Sequence, residues 1–298
     1  MTSSGTAQPE VGGSADLGVA LAAFAAAAGT PHQDAGPGPV LVASDFDGVL
    51  APLGDDPLAS RPTPAAAAAL ARLAACGPDR VRVALVSGRR IEDLAHLASP
   101  PPGALLVGSH GAETGEVLAP LRDGADDERS VRADGTAARV RLVPVSLDQA
   151  QSSLLADVTA GLEEIAAPLE GAWVEHKPSA AVLHTRLSPA DAARTASTTA
   201  AELGERLGAH VMAGKNVVEI AVTRTSKGIA LDALRERLGS PAVLYLGDDV
   251  TDERAFAVLG PADVGIKVGE GETLAPYRVA DPAEAAAALT TLADLLDP

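Results

Sequence analysis

Cysteine is nearly absent from this chain: Cys76 stands alone, so no intrachain disulfide can form and nothing points to an oxidising compartment. A lone thiol inside an Ala-rich helix is expected to fill core space rather than to attack a substrate. Aromatic residues make up only 2%, so the helices are expected to pack through Ala and other small side chains. Positive charge is scarce too, with 23 Lys and Arg against 40 Asp and Glu and a formal net charge of −17. A field of that sign repels polyanions, which argues against nucleic acid and anionic membrane surfaces as general partners. Long apolar runs are missing as well. The stretch LGVALAAFAAAA at 17–28 is too short to span a bilayer and follows no basic segment. It is expected to form a helix after a disordered, Ser/Gly/Thr-rich start over 1–16, in a soluble cytoplasmic protein. The sequence shows no internal repeat and leaves the oligomeric state open, a monomer being compatible with it.

Lysine is the scarcest charged residue. Four of them, Lys177, Lys215, Lys227 and Lys267, stand beside nineteen Arg. In a chain that otherwise relies on Arg, a retained Lys marks a place where a compact ammonium does what a planar guanidinium cannot, sampling noise being the alternative.

What is abundant is apolar: 47% of 298 residues, enough for one large domain or two smaller ones. The stretch PVLVASDFDGVL, 39–50, reads as a strand buried on both faces of a parallel sheet, ending in Asp45, Asp47 and Gly48. Two acids held that close repel unless a metal, a shared proton or a cationic substrate intervenes; the plainer alternative is that they cap a turn. Thr63-Pro64 opens a helix to about Ala75. VRVALV (81–86) and GALLVG (103–108) are further strands, ending in Ser87-Gly88-Arg89 and Ser109-His110-Gly111, with the helix IEDLAHLA between them. Strands alternating with helices predict a doubly wound, Rossmann-like α/β core.

The pattern then changes. Residues 113–143 are charged, Gly-containing and weakly periodic, with DGADDERSVRADG (123–135) reading as an exposed loop or ragged hairpin, and Ser146 with Gln149 reads as a capping box for a helix to about Ala167. WVEHK (173–177) with AAVLHTR (180–186), and AHVMA (209–213) with VVEIAV (217–222), read as antiparallel pairs separated by a helix from Ser188-Pro189 to about Leu207. This predicts an inserted α+β cap over 113–222, within a core of 39–112 and 223–298 that follows an N-terminal extension and helix over 1–38. Ser226-Lys227-Gly228 opens a helix, AVLYLG (242–247) is a buried strand ending in Asp248-Asp249, a last strand runs over 263–269, and Asp281, Pro282 and Glu284 cap a terminal helix.

In a parallel sheet the carboxyl ends share one edge, so Asp45, Asp47, Ser87, Asp248, Asp249 and the nearby Lys227 can meet in one crevice. Clustered carboxylates suit a hard cation such as Mg²⁺, and a Lys and a hydroxyl beside them suit phosphoryl oxygens. Phosphoryl transfer needs little more than such positioning and charge neutralisation, and a carboxylate can be the nucleophile.

The strings DFDGVLAP, VSGR, SHG, VEHKPSAAVLHTR, GKNVVEI, SKG and YLGDDVTDERAF, in that order from residue 45 to residue 256, resemble the haloacid dehalogenase superfamily and, more narrowly, its trehalose-6-phosphate phosphatase family. The resemblance implies hydrolysis of trehalose 6-phosphate through an aspartyl-phosphate. Asp45 would be nucleophile and Mg²⁺ ligand. Asp47 would be general acid/base, ligating through its carbonyl. Asp248 would be the third ligand, supported by Asp249, while Ser87 and Lys227 would hold phosphoryl oxygens. Arg89 would orient its loop or touch substrate, and His110 and Gly111 fall on the SHG string beside it. Glu175, Lys177 and Glu219 would bind sugar hydroxyls from a mobile cap. Val49 departs from the pattern by replacing a hydroxyl residue. Trp173 is expected in the cap core rather than as a sugar platform, and His184 and Arg186 are expected to be structural. The rivals are a phosphatase of another sugar or polyol phosphate and a non-catalytic sugar-phosphate sensor.

Overall fold

A computed structural model describes residues 14–28, 38–119, 130–132, 139–143, 146–214 and 216–297. Most of the expected disordered start, most of the Gly/Pro linker, much of the charged 121–141 segment and Lys215 lie outside these residues. The chain divides into two compact units, Met1–Val143 with Thr225–Pro298, and Pro144–Arg224. In order, the first unit runs α1 (Ser14–Ala27), β1 (Val40–Ser44), α2 (Pro64–Ala75), β2 (Val81–Val86), α3 (Ile91–Ala98), β3 (Leu105–Gly108), β4 (Glu113–Leu118), β5 (Ser130–Arg132) and β6 (Arg139–Val143). The second unit holds α4 (Gln149–Ala166), β7 (Trp173–Lys177), β8 (Ala180–His184), α5 (Ala190–Leu207), β9 (His210–Gly214) and β10 (Val217–Ala221). The chain returns to the first with α6 (Lys227–Leu238), β11 (Val243–Gly247), α7 (Glu253–Phe256), β12 (Val264–Val268), β13 (Tyr277–Val279) and α8 (Pro282–Leu296). Among the described residues no helix is long and apolar enough to cross a membrane.

The first unit is built on a nine-stranded sheet in the order β13-β12-β11-β1-β2-β3-β4-β6-β5. Its pairings are parallel from β13 to β3 and antiparallel beyond, which makes it a mixed sheet with helical layers. Successive residues of β1 supply both faces. Val40 and Val42 join a cluster with Leu21, Leu73 and Leu292 from helices α1, α2 and α8, and Leu41 and Ala43 join another with Leu231 and Leu234 of α6. A strand that must be apolar at every position reads as a continuous run, which is why VLVA was legible without alternation. Thr63 caps α2 as expected, its side chain accepting from the Ala66 N–H. Cys76 is partly buried against the first cluster.

Three features depart from the sequence reading. Residues 113–118 and 139–143, to which the weak periodicity assigns no element, are strands: β4 pairs antiparallel with β3, and β6 with β4. The compact division therefore falls after Val143 and after Arg224 rather than at 113 and 222. The capping box of α4 uses Asp148 and Gln151 instead of Ser146 and Gln149. The Asp148 carboxylate accepts from the Gln151 N–H at 2.8 Å, and the Gln151 amide oxygen accepts from the Asp148 N–H at 3.0 Å. A carboxylate wins the cap because it also favours the positive end of the helix dipole. Finally, β13, three residues long, extends the sheet beyond β12, too short to leave a period in the sequence.

The second unit is a four-stranded antiparallel sheet, β7-β8-β10-β9, as the two hairpin patterns predicted. Val174, Leu183, Val218 and Ile220 pack with Val158, Leu162 and Leu203 of α4 and α5. Trp173 does not join them: it is 43% exposed, on the opposite side of β7 from Val174.

Candidate active site

The register aligns Ser44 of β1 with Leu246 of β11 and Leu85 of β2, so the residues after these three strands emerge together. Asp45 extends the ladder by one bond, its N–H donating to the Leu246 carbonyl at 2.9 Å. The chain then folds back tightly, with the Gly48 N–H donating to Ala51 at 2.8 Å and the Ala51 N–H to Phe46 at 2.9 Å. Gly48 is required twice over, by its φ of 77° and because a Cβ there would stand 2.0 Å from the Asp248 carboxylate. Asp45, Asp47, Ser87, Arg89, His110, Lys227, Asp248 and Asp249 line one cleft of about 460 Å³. Gly111 does not line it; that residue packs against the Ser226 carbonyl, where a Cβ would come within 2.8 Å. Val49, fully buried, points its side chain into the hydrophobic core.

At the floor lies a buried chain of charges. The Lys227 ammonium donates to Asp45 at 2.5 Å and to Asp252 at 2.8 Å, and all three residues are at most 5% exposed. Asp252 is saturated. It also accepts from the Tyr245 hydroxyl at 2.6 Å and from the Asp248 and Asp249 N–H groups at 3.0 Å each. It thus ties the helix bearing Lys227 to the loop bearing Asp248, and Gly247 leaves room for it, since a Cβ there would sit 2.4 Å from the Asp252 side chain.

Burial pushes the Asp45 carboxyl up to about 7, against the pull of Lys227 and with added repulsion from Asp252. Burial likewise raises Asp248 to about 6, reinforced by Asp252. Burial opposes the Lys227 charge, but Asp45 and Asp252 more than offset it, so its pKa is raised.

Oxygens of Asp45, Asp248 and Asp252 can all lie within 4.8 Å of one another. Because Asp252 is fully engaged, Asp45 and Asp248 are the carboxylates available to a cation. Two carboxylates facing one cleft, both held above their ordinary range by burial, fit a divalent ion that would favour their charged forms.

Asp47 is occupied differently. Arg89 grips it in a fork, Nε to one oxygen at 2.6 Å and Nη2 to the other at 2.7 Å, and Ser60 donates to it at 3.0 Å. The expected role of Arg89 in ordering its loop is therefore joined by a direct hold on Asp47. The Ser87 hydroxyl accepts from the Arg89 N–H at 3.2 Å. Asp249 is exposed and caps its own turn through the Val250 N–H.

In the second unit, Glu175, Lys177 and Glu219 lie on one sheet face. Lys177 bonds Glu219 at 2.6 Å, and Glu175 meets the His184 ring at 2.9 Å. Trp173 stacks on His184, with ring centroids 4.6 Å apart and planes within 5°.

The sequence reading missed Asp252, Tyr245, Ser60 and Lys267. Lys267 is 4% exposed and donates to the Asp248 carbonyl, fixing that loop from below. Its signal was available: a cation inside VGIKV, an otherwise apolar buried strand, needs a partner.

Comparison with known proteins covers the stretch of chain that carries these residues. A family model described as trehalose-phosphatase matches residues 43–283. The trehalose-phosphate phosphatase of Mycobacterium marinum is 34% identical over 253 residues, which is 81% of this chain and 58% of that protein. Its counterpart in Mycobacterium avium is 34% identical over 267 residues, 85% of this chain and 62% of that one. The chain thus spans about three-fifths of the length of these relatives. Among solved structures, Aspergillus fumigatus trehalose-6-phosphate phosphatase superposes with a TM-score of 0.62 at 23% identity, covering 97% of this chain and 99% of that one. The C-terminal domain of the Candida albicans enzyme gives 0.55 at 19%, covering 94% and 98%. At these identities the structural likeness shows a shared fold.

Proposed function

Because this chain belongs to the trehalose-phosphatase family, we propose that it hydrolyses trehalose 6-phosphate to trehalose and phosphate with Mg²⁺ as its cation. The observation that carries the reading is the convergence of Asp45, Lys227 and Asp248 in one cleft with Asp47 at its rim. Asp45 and Asp248, with the Asp47 carbonyl, would hold Mg²⁺. When bound, the ion neutralises phosphoryl charge and keeps both carboxylates ionised.

An Asp45 carboxylate oxygen attacks phosphorus, and the bond from phosphorus to the sugar oxygen breaks. Asp47 gives that oxygen its proton. Water then attacks the aspartyl-phosphate, returns a proton to Asp47, and frees phosphate and Asp45. Lys227 offsets the repulsion between Asp45 and the arriving dianion. Ser87 and Arg89 supply donors to phosphoryl oxygens. Asp47 must exchange its fork with Arg89 before it serves as acid, and a phosphate offers the guanidinium a second bidentate partner. Glu175, Lys177 and Glu219 would bind sugar hydroxyls.

A panel of sugar phosphates assayed for phosphate release with and without Mg²⁺ tests this. Trehalose 6-phosphate is expected to be the best substrate by at least tenfold in kcat/KM, and release is expected to vanish with chelator. Equal turnover of glucose 6-phosphate and a polyol phosphate would transfer the assignment to a broader phosphatase.

A second expectation concerns pH. The folded, cation-free protein keeps protons on Asp45 and Asp248 that the unfolded chain, with Asp near its ordinary 3.8, releases. Their contribution to stability is therefore full below about pH 4 and lost as pH rises through 6 to 7. A cation needs the charged forms, so its stabilisation runs the other way. The rise in melting temperature on adding Mg²⁺ should be small at pH 5, grow through pH 6–7 and level off near pH 8. Equal rises at pH 5 and pH 8 would remove these two carboxylates from the cation site.

A further inference from the structure

On the second unit, β7 and β8 pair Trp173 with His184 and Glu175 with Val182, while β10 sets Glu219 on the other side of Val182. Side chains alternate along a strand, so Trp173, Glu175 and Lys177 share the side of β7 that turns away from the core formed by Val174 with α4 and α5. On that face the sole tryptophan of the chain, at the start of the edge strand β7, is 43% exposed beside His184. Its geometry is fixed from one side: His184, across on β8, stacks on the indole at 4.6 Å and at the same time meets Glu175 at 2.9 Å. One imidazole therefore sets both the plane of an aromatic surface and the position of a carboxylate beside it.

An exposed indole flanked by hydrogen-bonding groups matches one ligand chemistry well. A pyranose ring has an apolar face of C–H bonds and a rim of hydroxyls, so it can stack on a ring while its edge is hydrogen-bonded. Glu175 and Glu219 lie on strands two spacings apart, about 10 Å, and Lys177 on the strand of Glu175 reaches across that gap to Glu219 at 2.6 Å. Each carboxylate has acceptor capacity beyond its one partner, His184 or Lys177.

We propose that Trp173, held by His184, is a specificity-determining platform on which one glucose ring of the substrate stacks while Glu175 takes its hydroxyls. This rests on the reading of the substrate as a sugar phosphate and adds which part of it is recognised and by what. The platform contributes to binding in the ground state and the transition state alike, so its loss should appear in KM and leave kcat in place. An acyclic polyol phosphate lacks the flat C–H face and gains nothing from it.

Because Trp173 is the only tryptophan, its emission reports the platform directly. In the Asp45→Asn protein, which keeps its ligand intact, trehalose 6-phosphate is expected to shift or quench that emission saturably, and mannitol 1-phosphate at the same concentration is expected not to. With Asp45 in place, Trp173→Ala should raise KM for trehalose 6-phosphate about tenfold with kcat within threefold, and Trp173→Phe should restore KM to within threefold. Unchanged emission together with a KM within twofold in Trp173→Ala would overturn the platform while leaving the phosphatase reading standing. An emission change with α,α-trehalose in a chain that hydrolyses no trehalose 6-phosphate would do the reverse, supporting the platform and overturning the phosphatase.

Discussion

Asp45→Asn is expected to yield a folded protein whose release of phosphate from trehalose 6-phosphate falls by about 10³-fold or more, the scale on which loss of a nucleophile is felt. The substitution keeps the shape of the side chain and its acceptor oxygen but removes the lone-pair basicity that attack requires. Its effect on folding has the opposite sign from most buried substitutions. Burial already disfavours the Asp45 carboxylate, raising its pKa to about 7. A neutral amide avoids that cost, and Lys227 keeps Asp252 as its ionic partner at 2.8 Å. The melting temperature without cation at pH 8 should be unchanged or higher, and the stabilisation by Mg²⁺ should shrink, since one of its two open carboxylates has gone. Turnover within tenfold of the parent protein would end the assignment of Asp45 as nucleophile.

The second large effect belongs to a residue with no place in the chemistry. Asp252→Ala strands Lys227, the Tyr245 hydroxyl and two N–H groups, all of which it accepts from in a fully buried position. Breaking a buried ion pair from one side costs about 3–5 kcal/mol, which corresponds to a fall of about 5–8 °C in melting temperature for a chain of this size. Activity should fall too, because Lys227 and the loop carrying Asp248 lose their common anchor. Asp252→Asn separates the two roles. It retains one acceptor oxygen but turns an amide donor toward either the Lys227 ammonium or the two N–H groups, so its stability should lie between the other two proteins. Thermal and urea unfolding of the three would settle the order, and a loss below about 1 kcal/mol in Asp252→Ala would show that the network is dispensable.

Asp45, Ser87 and Asp248 were legible because a buried parallel strand announces itself as an apolar run, and its polar terminus lies at the edge where such sheets bind ligands. Asp252 was not, since it follows a loop in a helical first turn, where an acid is ordinary. Only the fold shows that it turns back beneath Gly247. The strands β4 and β6 were hidden by charge. ETGEVL and RVRLV carry Glu and Arg in patterns that satisfy each other across the ladder, Arg141 with Glu116 at 2.6 Å, which a single strand cannot reveal. Trp173 was expected in the cap core; its stacking partner lies on a neighbouring strand eleven residues on, a contact that the strand alone does not show.

The order of strands also sets a schedule. β1 lies between β2, which follows it within about forty residues, and β11, which arrives about two hundred residues later. The whole second unit is made in between. At ribosomal speeds of about 5–20 residues per second, one edge of a largely apolar strand waits about 10–40 s for its partner, and the ammonium that faces Asp45 is made only after that same unit. The nascent chain therefore carries an open template for strand addition during synthesis, and slow elongation through the insertion should favour aggregation over yield.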